Sequence, residues 1–228
     1  MRLVRAFGKE NILICTSNKE KKNTLKNIAK KLNIKIFFGE DLNIFKRLID
    51  ASKKHNIDHI VRVTGDNPLT DTETLKKMIK FYSNNKIDFM YTSSLFPGLK
   101  SEIISVKALK KCYSLSIDPN SSEYLTYFFL RKNLFKLKCF KEKRISNKEK
   151  KLSITIDQKS DFIKLKNLIK KNKSNIYITR KNIIKNLKVK KNKINNIKKI
   201  PIKTKYYDAR LKTDPKNFRY INLEEFYL

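Results

Sequence analysis

The sequence predicts an α/β domain with a doubly wound, mostly parallel mixed sheet, followed by a basic C-terminal extension. Short apolar runs rich in β-branched residues alternate with segments of helical spacing from residue 11 to residue 91. This regular alternation favours parallel strands joined by right-handed helical crossovers. The chain has 228 residues, of which 40% are hydrophobic, so it is long enough to bury the core of one such domain.

The predicted elements follow one another along the chain. We expect strands at residues 11–15, 34–38, 58–63 and 88–91, with amphipathic helices after the first three. Beyond Ser93 the pattern becomes irregular, with a short strand at 102–105, a helix at 106–115 and a helix capped at 121–123. A last strand at 152–156 precedes a helix that opens at Ser160.

The stretch 60–71 changes character in its middle. Its apolar start is typical of a buried strand, which residues 64–68 cannot continue. Residues 70–73 then fit a capping box that starts a helix. Asp66 therefore lies at the carboxyl end of a strand, the edge where open α/β sheets bind ligands, and is well placed to hold a cation. The alternative is that Asp66 only forms an Asx-turn before Pro68.

Asp157 repeats the placement of Asp66. It follows the predicted strand at 152–156 and stands just before a helix. Two such carboxylates facing each other across one sheet edge would suit Mg²⁺, which usually takes one or two protein carboxylates and completes its shell with phosphate oxygens and water. The alternative is that Asp157 serves only as a helix N-cap, a position that Asp favours.

The charge of the chain first suggests a nucleic-acid partner. The formal net charge is +33, from 54 Lys and Arg against 21 Asp and Glu. However, the excess is mostly Lys accompanied by Asn and Ile, a composition that an A/T-rich genome favours, and Arg is sparse. We therefore do not expect nucleic acid as the main partner. The milder interpretation is a positive field that steers an anionic substrate, such as a nucleoside triphosphate, toward its cleft.

The cysteine content and the hydropathy argue against several other classes of protein. Cys15, Cys112 and Cys139 are odd in number and have no paired spacing, which argues against a disulfide framework and a zinc site and suits a reducing compartment. No apolar run approaches the roughly 20 residues that span a bilayer, and no signal peptide is predicted. We expect a cytoplasmic protein without a membrane span.

The C-terminal part differs in composition from the α/β domain, which we assign to residues 1–171. No acidic residue occurs between Asp161 and Asp208, and residues 172–200 are rich in Lys, Asn and Ile. We interpret 172–200 as a basic segment or linker that contains a solvated helix and packs little, with a basic binding surface as the alternative. Aromatic residues return at 201–228, and we expect this tail to dock on the domain or on the second subunit of a homodimer.

Five segments, in order, resemble motifs of the nucleotide-sugar cytidylyltransferases, specifically the spore-coat polysaccharide biosynthesis branch related to acylneuraminate and deoxy-octulosonate cytidylyltransferases. The most specific is Val-Arg-Val-Thr-Gly-Asp-Asn-Pro-Leu-Thr-Asp at 61–71, which resembles the family's R-x-T-G-D-x-P-L-x-D. The supporting segments are 14–17, 96–98 with Glu102, 122–126 and 154–161. The resemblance runs from about residue 11 to residue 170.

The resemblance implies a nucleotide-diphospho-sugar transferase-like fold and the transfer of CMP from CTP to a sugar or sugar acid for surface polysaccharide biosynthesis. It implies that Asp66 and Asp157 are the catalytic residues and the Mg²⁺ ligands. The residues it assigns to nucleotide binding are Thr16, Ser17, Arg62, Thr64, Gly65 and Asn67. The residues that the resemblance assigns to sugar binding are Glu102 and Glu123.

The sequence departs from the family at its start. Family members begin with a strand and a loop of the type R-x-x-S-x-R-L-P-G-K that cradles the triphosphate, and no such loop occurs here. We therefore interpret 1–171 as an N-terminally truncated domain, whose activity would be impaired. The explanations are a start codon assigned too late, a truncated remnant, or a cradle supplied by the basic tail or a partner. Lys100 and Ser101 also stand where acidic and apolar residues are common in relatives.

Other functions stay open at this point. A non-catalytic remnant or a partner-binding subunit is supported by the missing loop. A basic nucleic-acid-binding protein is supported by the net charge of +33. A glycosyltransferase would also place an aspartate at a strand end, but the absence of a clear D-x-D triplet argues against it.

Overall fold

The computed structural model describes residues 1–21, 24–116, 125–129, 134–142, 145–147, 149–173 and 175–187. Over these ranges the chain forms two sheets with helices packed on them. The sheets contain both parallel and antiparallel pairs, and helices alternate with strands in the first half of the chain. The predicted α/β fold class with a mixed sheet is confirmed.

The first sheet is small and parallel. Its strands are β1 (Leu13–Ser17) and β2 (Lys35–Gly39). Helix α1 (Arg2–Phe7) precedes the sheet, and α2 (Thr24–Leu32) connects its two strands. Because parallel strands must run in the same direction, their connection has to cross from one end of the sheet to the other, and α2 makes this crossover.

The second sheet is mixed. Its strands are β3 (His59–Arg62), β4 (Phe89–Thr92), β5 (Glu102–Ser105) and β6 (Leu137–Phe140), in the spatial order β3-β5-β4-β6. Strand β5 is antiparallel to both of its neighbours, whereas β6 is parallel to β4. The carboxyl ends of β3, β4 and β6 therefore meet at one edge of the sheet, where β5 begins.

Helices cover both faces of the second sheet. They are α3 (Ile44–His55), α4 (Thr72–Ser83), α5 (Val106–Ser114) and α6 (Leu125–Phe129). The last two helices, α7 (Lys159–Lys171) and α8 (Arg180–Asn186), pack instead against the loops that follow β3 and β4. Successive strand residues point to opposite faces. Phe89 and Ile104 accordingly share a core with α3, α5 and α6, whereas Met90 and Ile103 pack on α4. No helix in the described ranges has both the length and the apolar character needed to cross a membrane.

Helix α3 joins the two sheets. It contacts both strands of the first sheet and also packs on α5. Its Phe45 is fully buried in the core that contains Phe89 of the second sheet. The Cys15 thiol of β1 lies 3.9 Å from the carbonyl oxygen of Arg47 on the same helix. Helix α3 thereby fixes the position of one sheet relative to the other.

Helix α8 packs in the same core as α7. Ile183 is fully buried, and together with Ile178 it joins a cluster that includes Leu165 and Leu168 of α7. The expectation that 172–200 packs little is therefore corrected for its described part, because that part supplies buried apolar side chains. Residues 188–228, including the aromatic tail, lie outside the described residues.

The expected strand at 152–156 is extended but belongs to neither sheet. Its amides bond to loops instead of to a neighbouring strand. The amide of Ile154 donates to the carbonyl of Pro97, and that of Ile156 donates to the carbonyl of Asp66. The predicted strand at 152–156 is therefore wrong, because this segment bonds to loops and not to a strand of either sheet.

The expected capping box at 70–73 is also wrong. Helix α4 has Asp71 as its N-cap, and the Asp71 carboxylate accepts a hydrogen bond from the amide of Glu73 at 3.3 Å. The Thr70 hydroxyl turns back and donates to the carbonyl of Asn67 at 2.8 Å. An Asp and a Thr stand side by side here, and both favour the N-cap, so sequence could not separate them.

Candidate functional site

The loop after β3 holds Asp66 at the edge of the second sheet. Strand β3 ends at Arg62, and the amide of Asn67 donates to the carbonyl of Thr64 at 3.1 Å, which closes a turn. The side-chain amide of Asn67 also donates to the Thr64 hydroxyl at 2.7 Å. Gly65 lies at the open side of this turn, since a Cβ there would meet no atom within 4 Å. Hydrogen bonds between its own polar groups thus close the turn.

Backbone hydrogen bonds bring the second candidate carboxylate to the same place. The carbonyl of Asp66 accepts a hydrogen bond of 2.9 Å from the amide of Ile156, and Asp157 is the next residue. Two residues earlier, the amide of Ile154 donates to the carbonyl of Pro97 at 3.1 Å. The extended segment therefore lies along the loops that follow β3 and β4, and it places the backbone of Asp157 beside that of Asp66.

No hydrogen bond within the turn accounts for the presence of a carboxylate at Asp66. An Asx-turn would need a donor two residues on, and Pro68 has no N–H. In the described residues this carboxylate makes no hydrogen bond, and its Oδ1 is buried without a partner. A buried acceptor left in this state costs about 1–3 kcal/mol. The Asx-turn alternative is therefore wrong, and the carboxylate is available to a ligand.

The Asp157 carboxylate is not used as a cap either. The N-cap of α7 is Gln158. The Asp161 carboxylate reaches back and accepts hydrogen bonds from the amides of Gln158, at 3.1 Å, and of Asp157, at 3.4 Å. Asp161 thereby holds the backbone at the start of α7, and the exposed Asp157 carboxylate is left without a partner among the described residues.

The two carboxylates lack basic partners in a strongly basic chain. The sequence has 54 Lys and Arg, yet none in the described ranges places a nitrogen within 4.0 Å of the Asp66 or Asp157 carboxylate. Two carboxylates with one buried, unpartnered oxygen fit a hard divalent cation such as Mg²⁺. The described residues contain no group of three or more His, Cys, Asp or Glu side chains that could hold a metal. Mg²⁺ does not need such a group, since water and substrate phosphates usually complete its shell.

Arg62 and Glu102 form an ion pair beside this loop. They lie opposite each other on β3 and β5, and Nη1 of Arg62 is 2.8 Å from Oε2 of Glu102. Their side chains are only 18% and 17% exposed. The resemblance assigned one residue to the nucleotide and the other to the sugar, and the structure brings the two together as a pair. Each therefore neutralises and orients the other at the sheet edge.

Lys100 is half-buried next to this pair. Burial is the largest influence and lowers the pKa of Lys100, while the nearby Cys139 and Glu102 oppose this effect. The loop that carries Lys100 is anchored to helix α4, because the amide of Asp71 donates to the carbonyl of Leu99 at 2.9 Å. A desolvated cation thus stands near the same sheet edge as the two aspartates.

The remaining expected site residues are not joined to this edge. Thr16 and Ser17 end β1 in the first sheet, and no hydrogen bond in the described residues connects either one with the Asp66 loop. Glu123 lies outside the described residues. The structure therefore brings the backbones of Asp66 and Asp157 together and pairs Arg62 with Glu102 at the end of β3, while Thr16 and Ser17 occupy a separate strand end.

Two positions that shape the site received no role from sequence. The Asp161 carboxylate accepts a hydrogen bond from the amide of Asp157. The sequence feature that could have indicated this role is an acidic residue in the first turn of a helix. Gly98 has φ +94°, and a Cβ there would lie 2.5–2.7 Å from atoms of Ile154 and Thr155. Only glycine allows the Pro97 loop to approach the extended segment so closely. The sequence feature that could have drawn attention to Gly98 is the scarcity of glycine, since the chain has only four.

Comparison with known proteins gives consistent matches. A sequence model described as cytidylyltransferase matches residues 2–200. The chain is 31% identical over 162 residues to an uncharacterized protein of Methanocaldococcus jannaschii, an alignment that covers 71% of this chain and 66% of that protein. It is 24% identical over 164 residues to the spore coat polysaccharide biosynthesis protein SpsF of Bacillus subtilis, with 72% and 68% covered. The chain thus matches about two thirds of the length of these relatives.

A solved structure agrees with these matches. The structure of a cytidylyltransferase from Leptospira borgpetersenii serovar Hardjo-bovis superimposes with a TM-score of 0.65 at 27% identity. The superposition covers 82% of this chain and 84% of that one. The similarity therefore extends over most of both chains and is not limited to one motif.

Proposed function

Because this chain belongs to the cytidylyltransferase family, we propose that it transfers CMP from CTP to a hydroxyl of a sugar or sugar acid, with release of pyrophosphate. The name of its B. subtilis relative, a spore coat polysaccharide biosynthesis protein, supports an acceptor that is used for surface polysaccharide. We place the reaction in the cytoplasm, where the three free cysteines would stay reduced.

One observation carries this proposal. The hydrogen bond between the Asp66 carbonyl and the Ile156 amide sets two aspartates side by side, and neither carboxylate has a protein partner in the described residues. A purely structural carboxylate would not be expected to leave a buried oxygen such as Oδ1 of Asp66 without a partner, because this costs about 1–3 kcal/mol. An unpartnered pair at the carboxyl edge of a sheet is instead a binding site for a cation or its ligands.

The proposed reaction is an in-line displacement. The acceptor oxygen forms a bond to the α-phosphorus of CTP, and the bond from that phosphorus to the bridging oxygen of the β-phosphate breaks. The electron pair leaves with pyrophosphate, and the hydroxyl proton passes to solvent. A bound divalent cation would neutralise charge on the triphosphate and align the leaving group. Asp66 and Asp157 are proposed to hold this cation.

The other residues of the site are proposed to position the two substrates. Thr64, Gly65 and Asn67 form the turn that presents Asp66, and we assign the same turn to the nucleotide. The Arg62–Glu102 pair offers a guanidinium for phosphate oxygens and a carboxylate for sugar hydroxyls. Thr16 and Ser17 are assigned to the nucleotide and Glu123 to the sugar, on the family resemblance alone.

The test is product formation from CTP with a panel of sugars and sugar acids in Mg²⁺. We expect pyrophosphate release together with a CMP-sugar identified by mass spectrometry, and we expect Asp66→Asn to abolish both. The matched control is Asp58→Asn, because Asp58 is exposed at the opposite end of β3 and its side chain makes no hydrogen bond within the described part of the chain. Equal product from Asp66→Asn and Asp58→Asn would contradict the proposal.

A further inference from the structure

Asn67 carries a second unpartnered oxygen beside that of Asp66. The Oδ1 atoms of both side chains are buried, and neither has a hydrogen-bond partner in the described residues. Buried side-chain oxygens of this kind are uncommon in native proteins and call for a specific explanation. Two on consecutive residues of one turn point to a single missing partner that interacts with both.

The backbone groups and the side-chain nitrogen of Asn67 all make hydrogen bonds, so its side chain has a defined orientation. The backbone amide of Asn67 donates to the carbonyl of Thr64. The backbone carbonyl of Asn67 accepts hydrogen bonds from the backbone amide and the hydroxyl of Thr70, at 3.2 and 2.8 Å. The side-chain Nδ2 donates to the Thr64 hydroxyl at 2.7 Å. With Nδ2 held in this way, Oδ1 is the end of the amide that is presented to a ligand.

A divalent cation would satisfy this set of atoms. Carboxylate and amide oxygens are the ligands that hard cations prefer, whereas an anion or a hydrogen-bond acceptor would be repelled by two oxygens. We propose that Asn67 Oδ1 acts with Asp66 Oδ1 as a neutral oxygen donor, either directly to the cation of the nucleotidyl-transfer site or to its bound water. This inference rests on the proposed function, since it concerns the same cation.

The assignment changes the expected charge of the site. With Asp66, Asp157 and the neutral Asn67 as protein donors, the protein supplies two negative charges, which leaves the cation free to bind triphosphate oxygens as well. A third carboxylate at position 67 would strengthen binding of the free cation, since affinity for hard cations rises with the number of charged ligands.

The test is binding of Mn²⁺ alone, followed by the electron paramagnetic resonance signal of the free ion, with the full chain and no nucleotide. We expect Asn67→Ala to weaken Mn²⁺ binding about tenfold and Asn67→Asp to strengthen it. The matched control is Asn84→Ala, which changes an exposed asparagine at the end of α4 and should leave Mn²⁺ binding unchanged. Circular dichroism melts confirm that each variant is folded, and the backbone bonds of residue 67 survive all of these changes.

The outcomes separate this inference from the proposed function. If Asp66→Asn loses Mn²⁺ binding but Asn67→Ala does not, the inference is overturned and the proposed function stands. If Asn67→Asp weakens binding, the side chain presents its NH₂ group to the site, and the inference is likewise overturned. If the unmodified chain binds no Mn²⁺ without nucleotide, the inference is overturned, and the proposed function is judged by product formation from CTP. If Asp66→Asn binds Mn²⁺ as well as the unmodified chain does, both are overturned.

Discussion

The carbonyl of Asp66 accepts a 2.9 Å hydrogen bond from the amide of Ile156, which joins the loop after β3 to an extended segment 90 residues further along the chain. This contact places Asp157 next to Asp66, although the two lie in different parts of the sequence. Both carboxylates are free of protein partners in the described residues. The pair is therefore built by backbone bonding, and its side chains remain available for a ligand.

The close approach at Gly98 predicts that this position tolerates no side chain. Gly98→Ala would place a Cβ 2.5–2.7 Å from Ile154 and Thr155 and would hold Ala at φ +94°. We expect a loss of about 1–3 kcal/mol or more in the free energy of unfolding, measured by urea denaturation. Gly65→Ala is the control, since its Cβ would meet no atom within 4 Å and the change should stay within about 1 kcal/mol. Equal stability of the two variants would contradict the described approach.

The Arg62–Glu102 pair predicts energetic coupling across β3 and β5. In a double-mutant cycle with Arg62→Met and Glu102→Gln, we expect a coupling of about 1–3 kcal/mol in the free energy of unfolding, because the pair is charged and largely buried. Each single change removes the same ion pair, so the loss of stability in the double variant should be smaller than the sum of the losses in the two single variants. Strictly additive losses would show that the two side chains act separately.

Nε and Nη2 of Arg180 on α8 both donate hydrogen bonds to Oε1 of Glu149. This ion pair predicts a pH dependence of stability. Burial, the largest single influence, raises the pKa of Glu149, but hydrogen bonds from Ser146 and from Arg180 together outweigh it and lower the pKa. The stabilisation is therefore fully present above the unfolded pKa of about 4.3 and is lost as the pH falls through the lower folded pKa. Thermal melts of the unmodified chain and Glu149→Gln should differ at pH 7 and converge in acid. A difference that persisted unchanged in acid would rule out this titration as the cause.

The buried side chain of Ile183 predicts that α8 is an integral part of the domain. Ile183 is fully buried, so Ile183→Ala should cost about 2–5 kcal/mol in the free energy of unfolding. Ile163 on α7 is 49% exposed, and Ile163→Ala should change that energy by no more than about 0.5 kcal/mol. Chemical denaturation of both variants makes the comparison. If Ile183→Ala were as mild as Ile163→Ala, α8 would be peripheral.

The sequence was sufficient to predict features that depend only on residues close together in the chain. The end of β3 and the turn with Asp66 could be located because an apolar β-branched run meets a Gly and a Pro within a few residues. Asp157 was found in the same way, as an acid between an apolar run and a helix start. The candidate aspartates were therefore accessible without a structure, since each is defined by its local element.

Contacts between distant segments could not be predicted in this way. The pairing of Arg62 with Glu102 depends on the register of β3 against β5, and a shift of one residue would separate them. Strand β6 was missed because its four residues lie in a basic and irregular stretch. The burial of Ile183 was missed because lysines surround it in sequence, and only the fold of α8 against α7 shows that one face is apolar.

The most direct test of the site is calorimetric binding of CTP in the presence and absence of Mg²⁺. The unmodified chain should bind CTP only with Mg²⁺, Asp66→Ala should weaken this binding at least about tenfold while keeping its circular dichroism spectrum, and Asp58→Ala should bind normally. Binding of CTP that is equally strong in Asp66→Ala, or that needs no Mg²⁺, would contradict the assignment of the paired aspartates to a cation and nucleotide site.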